Sequence, residues 1–246
     1  MLTQYNSYLL GMFVLTLLGA VLPLLKNWSQ RTLHLFIAFG AGIFLGALFL
    51  HILPEINGQG TPSSNNAILL LGFLALLFFE RVLFNQHERH CGNHCSHGHK
   101  VIGYTTLMGL SIHALAEGIS LGFAFALPHV ALPLFIAIVS HKAVAAFSLA
   151  TVLRLAGFKP LKSFALLVFF ALTSPLAAIA SLKLSHAMSA QMLCTAQALA
   201  GGTFLYVATC DLLPEAFHEN KGRISSFISL AVGMLMMALL LFFHIH

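Results

Sequence analysis

Residues 101–127 read VIGYTTLMGLSIHALAEGISLGFAFAL, twenty-seven positions in which Glu117 is the only charged side chain. A helix needs about 20 apolar residues to cross the hydrocarbon core of a bilayer, so this run is long enough to span one. Seven comparable runs lie to either side, roughly 8–25, 33–53, 67–86, 131–153, 161–183, 191–213 and 224–243. Short connections rich in Pro, Gly, Asn, Lys and His separate them, and nothing is left over for a soluble domain. The expectation is a single transmembrane domain over 1–246, an all-α integral membrane protein of eight helices.

Composition agrees. Of 246 residues, 59% are hydrophobic and 8% charged, with a mean hydropathy of +0.90. A soluble domain carries roughly 25% charged residues, and 8% cannot cover a water-soluble surface. The net charge of +5 does not point to nucleic acid, because the basic residues sit at the ends of apolar runs, where membrane proteins place them. With both termini outside, Lys26, Arg31, Arg81, Arg89, Lys100, Arg154, Lys159, Lys162, Lys221 and Arg223 fall on the inner side and only Lys183 on the outer. That bias sets the orientation and supports an even number of crossings. The first run lacks the basic leader of a signal peptide and reads as a retained span. The four cysteines do not form a disulfide framework.

Two ends look alike. The second run closes on HILPE (51–55) and the seventh on DLLPE (211–215). Those runs travel in opposite directions, as an inverted repeat of spans 1–3 and 6–8 around spans 4–5 requires. Glycines at packing intervals, as in FGAGIFLGALFL (39–50), allow close helix contacts, either fixed or sliding.

An ionised side chain at mid-bilayer costs at least ~2.5–3.5 kcal/mol and usually marks function. His113 lies four residues before Glu117, so both project from one helix face, and Thr106 and Ser120 fall near the same stripe. Span 5 adds His141 and Lys142 at a similar depth, with Ser148 two turns on. Two imidazoles and a carboxylate are ordinary zinc ligands, and three of them leave a coordination place open for water. The competing reading pairs Glu117 with Lys142 as a buried ion pair beside packing histidines. The connection NQHERHCGNHCSHGHK (85–100) holds His87, His90, Cys91, His94, Cys95, His97 and His99. Its spacing fits no closed zinc finger; it reads as a flexible, metal-collecting inner loop over 87–100. His51 and Glu55 at the outer end of span 2, and Asp211 and His218 near the inner end of span 7, are candidate waypoints for an ion.

HALAEG (113–118), SHKAVAAFSLA (140–150), SPLAAIAS (174–181) and GTFLYVATCDLLPEAF (202–217) together resemble the ZIP family of divalent metal transporters. The resemblance covers nearly the whole chain and implies a transport site on spans 4 and 5. The family's H-x-x-x-E-G falls on His113, Glu117 and Gly118, and the first polar position of its span 5 motif on His141. Members with a two-metal centre carry Asn and Pro where this chain has Ala114 and Ala116, and acidic residues where it has Lys142 and Ala145. The pattern is similar to the branch with HK and FSL in span 5, which implies a single-metal centre with Lys142 replacing the second ion.

The expected function is inward transport of a divalent cation, Zn²⁺ first, with Fe²⁺, Mn²⁺ or Cd²⁺ as other candidates. The expected setting is a plasma membrane, and a homodimer is one candidate assembly. A membrane-embedded metalloenzyme and a haem-binding electron carrier are the alternatives. The H-E-x-x-H pattern of zinc proteases is absent, and haem ligation would leave Glu117 and the His/Cys loop unused.

Overall fold

The computed structural model describes residues 2–25, 28–58, 62–84, 96–125, 128–184, 190–218 and 223–245, all of the regular structure helical. Helix α1 covers Leu2–Val21, α2 Gln30–Ala47, α3 Leu53–Gly58 and α4 Pro62–Phe78. Helix α5 follows at Ser96–Ala124, α6 at Pro128–Leu155 and α7 at Pro160–Leu184, and then α8 (Ala190–Tyr206), α9 (Leu213–Ala216) and α10 (Arg223–Ile245). Among the described residues, seven helical stretches are long and apolar enough to cross a membrane. The run expected as the seventh crossing is helical too, from Ala190 on to Ala216, but is not among those seven. Gln191, Thr195, Gln197, Thr203, Thr209 and Asp211 are among its polar positions.

The two LPE ends share a local structure. A π-helical segment, Leu48–Ile52, joins α2 to α3, and another, Val207–Leu212, joins α8 to α9. Pro54 and Pro214 lack the N–H that would close the preceding α-helical turn. The wider turn accommodates that loss without ending the helix. A third π segment, Phe79–Phe84, extends α4.

The helices pair lengthwise: α2 with α10, α4 with α8, α5 with α7 and α1 with α6. Helices α5 and α6 meet at the centre, where α5 also packs on α8 and α6 on α2. The main core runs through Phe44, Leu110, Ala146, Leu149, Phe170 and Phe204, with Phe44 and Phe204 stacked at 4.5 Å. Helices α4 and α10 turn Leu70, Leu71, Phe227 and Leu235 outward, as lipid-facing helices do.

Glycine sets the closest approaches. A Cβ on Gly202 of α8 would collide with the Leu69 carbonyl oxygen of α4, and one on Gly42 of α2 with the Leu230 carbonyl oxygen of α10. Backbone cannot swing aside as a side chain can. Gly202→Ala should therefore destabilise the protein by about 1–3 kcal/mol, the usual penalty of overpacking. A lowered melting temperature in detergent checks this, and an unchanged one contradicts it.

Candidate metal centre

Helix α5 is unbroken through 113–117, so its 3.6-residue turn puts His113 and Glu117 on one face. The geometry follows: His113 Nε2 stands 3.3 Å from Glu117 Oε1. Helix α6 crosses at this level and brings His141 Nε2 to 2.6 Å from the same oxygen. The Lys142 ammonium donates to the other oxygen, Oε2, at 2.5 Å. All four side chains are buried. One nitrogen from each histidine and one carboxylate oxygen lie within 4.8 Å of one another.

Neither ring nitrogen of His113 has a hydrogen-bond partner among the described residues, because its approach to Glu117 lacks hydrogen-bonding geometry. Its ring instead stacks on Phe204, centroids 4.2 Å apart and 22° from parallel. A buried imidazole whose lone pair is unused carries a desolvation cost that a metal ion would relieve. Zinc bound at about 2.1 Å in tetrahedral geometry holds its ligand atoms about 3.4 Å apart. An arriving ion would thus widen the His141–Glu117 contact and draw His113 inward, movements of about an ångström.

The buried ion pair of Glu117 with Lys142 and the cluster of His113, Glu117 and His141 coexist, since the carboxylate uses a different oxygen for each. The Lys142 ammonium also sits 5.3 Å from the Phe170 ring centroid. Ala114, Ala116 and Ala145 are buried and add only methyl groups.

A cavity connects the centre to the π segment and α3 that follow α2. It is lined by His113, Glu117 and His141, and also by His51 and Glu55, whose nearest polar atoms are 3.9 Å apart. Ser120 lines it as well, whereas Ser148 packs where a Cβ on Gly40 would fall and Thr106 serves Asp211. Asp211 is buried elsewhere, accepting from Thr105 at 3.3 Å and Thr106 at 2.9 Å. His218 is exposed beyond α9. His87, His90, Cys91, His94 and Cys95 lie outside the described residues, and the backbone of His97 and His99 belongs to the first turn of α5.

Among the neighbouring residues, Glu215 is expected from the sequence as a further waypoint near the inner end of span 7, whereas Gln197, Glu80, Tyr206 and His34 are not. Gln197 lines the cavity. Glu80, from the π segment after α4, is buried and accepts from Tyr206 Oη at 2.5 Å. His34 Nε2 lies 3.5 Å from Glu215 Oε1. Glu80 carried a signal, being the lone acid in its apolar run; Gln197 and Phe204 carried none.

Comparison with known proteins gives a consistent answer. The chain is 27% identical to zinc transporter ZIP1 of Takifugu rubripes over 95% of its own length and 96% of that protein. It is 27% identical to zinc transporter ZIP9-B of Xenopus laevis over 89% of its length and 88% of the relative. With zinc transporter ZIP2 of Mus musculus it shares 25% identity over 94% and 95%. The family model described as ZIP zinc transporter matches residues 7–100 and 85–241. By this match over nearly its whole length, the chain belongs to the ZIP zinc transporter family.

Proposed function

We propose that this protein carries a divalent cation, Zn²⁺ foremost, across a bilayer through a site made of His113, Glu117 and His141. The observation carrying this reading is the buried cluster of one carboxylate oxygen and two imidazole nitrogens within 4.8 Å, at the foot of a cavity that also holds His51 and Glu55. Those two recruit the ion, the three deep groups replace most of its water, and it leaves past Asp211 and His218 towards the loop over 87–100. The direction is inward, with both termini outside in a plasma membrane, as the inner excess of Lys and Arg supports. One ion binds at a time, because the Lys142 ammonium stands where a second would sit. The protein acts as a carrier and not as an enzyme, and the ion is its cargo.

The reading includes eight crossings in a single domain, with spans 1–3 and 6–8 as inverted repeats. The helix pairing supports it. Exchanging span 1 with 6, 2 with 7, 3 with 8 and 4 with 5 converts the α2–α10 pair into α8–α4, and the α5–α7 pair into α6–α1. The matched π segments before each LPE support it as well. Helices α1, α5, α6 and α7 then form the group that carries the site and moves against the rest.

The test is uptake into proteoliposomes across a panel of ions. Zn²⁺ should enter, with Cd²⁺, Fe²⁺ and Mn²⁺ as competitors, whereas Ca²⁺ and Mg²⁺, which demand oxygen ligands, should not. His113→Ala should lower zinc uptake on the order of 10–100-fold at limiting zinc, at least the loss seen when the support of a metal ligand is removed. Wild-type uptake by His113→Ala would sink the site.

A further inference from the structure

Among the described residues lining the cavity that leads to the deep centre, two polar side chains have no role in the mechanism above, Ser120 and Gln197. Gln197 projects from α8, and its Nε2 donates both to Glu55 Oε1 at 3.3 Å and to Ser120 Oγ at 3.1 Å. Ser120 donates in turn to the Ala116 carbonyl oxygen at 2.8 Å, which ties it to the turn of α5 that carries Glu117. One amide nitrogen therefore links the carboxylate at the cavity mouth to the helix bearing His113 and Glu117.

We propose that Gln197 is a positioning residue for metal uptake: it fixes the Glu55 carboxylate in the path of the arriving dication. The inference rests on the transport reading. A carboxamide suits this task chemically. Its two N–H groups donate in a fixed plane, so one oxygen of Glu55 is held while Oε2 is presented towards His51, 3.9 Å away. A lysine or arginine would hold the carboxylate as well but cancel the charge that attracts the ion. Glutamine orients without neutralising.

The experiment is zinc uptake kinetics in proteoliposomes. Gln197→Leu keeps the size of the side chain and removes the donors. Its KM should rise about three- to tenfold, the scale of one hydrogen bond, with Vmax within about twofold of wild type. Because Gln197 acts through Glu55, the double variant Gln197→Leu/Glu55→Gln should show the KM of Glu55→Gln alone, a coupling that two independent sites would not produce. Gln197→Asn, one methylene shorter, should raise KM likewise and serves if the leucine variant fails to fold. An unchanged KM, two effects that multiply, or a failure of both variants to fold would overturn the proposal. A Glu117→Ala arm separates the two readings. Full uptake by that variant defeats the transport site itself, whereas a dead Glu117→Ala beside an unaltered Gln197→Leu defeats only the role of Gln197.

Discussion

Glu117→Gln should bring zinc uptake into proteoliposomes down to the level of empty vesicles, and zinc should no longer raise the melting temperature of the purified protein. The carboxylate is the hub of the centre: one oxygen faces both His113 and His141, and the other receives the Lys142 ammonium. The amide keeps the shape but loses the charge that binds a dication. It also leaves the ammonium buried without a countercharge, and breaking a buried pair from one side costs about 3–5 kcal/mol. A metal-free loss of stability is therefore expected beside the functional loss. The discriminating measurement is the thermal shift on adding zinc. At a hundred times its Kd, a ligand stabilises the folded state by about 2.7 kcal/mol, which the wild type should show and Glu117→Gln should not. Equal zinc-dependent shifts in both would remove Glu117 from the ligand set.

The second large effect runs the other way. Lys142→Met should bind zinc at least tenfold more tightly than the wild type and turn over more slowly. An ammonium about 5 Å from an ion repels each unit of its charge by about 3 kcal/mol at an effective dielectric near 20. The same ammonium competes for the carboxylate that the ion needs. Removing it favours the bound state on both counts, and tight binding at mid-path delays release. Competition against a chelator in detergent measures the affinity, and single-vesicle-population uptake gives the turnover. A Kd equal to or weaker than that of the wild type would mean that Lys142 does not act on the ion.

The helices were legible because apolar length alone identifies a span, and the His113–Glu117 face because helical periodicity places residues four apart. The place of His141 was legible from its depth in span 5, supposing spans 4 and 5 to be neighbours, and from the resemblance of SHKAVAAFSLA, although no local pattern says which helix crosses α5 there. Gln197, Phe204 and the His34–Glu215 contact were not legible. Each depends on which helices pair, a relation between segments far apart in the chain. The stretch 191–213 carries polar residues that serve the interior. Gln197 reaches the cavity, Thr203 bonds to the Gly109 carbonyl oxygen and Asp211 to α5. Ala114 and Ala145 could be read from sequence as lacking any ligand atom, and the structure fills those places with packed methyl groups.

Glu117 and Lys142 form a buried pair of opposite charges that cancel each other when no ion is aboard. An unloaded site of that kind can reset between the two faces of the bilayer without hauling charge through the electric field. In the proposed cycle the loaded site would travel with the full double charge of its passenger, and each elementary charge would gain about 2.3 kcal/mol per 100 mV. Membrane voltage would then act on only one half of the cycle, drawing the ion inward and leaving the return stroke untaxed.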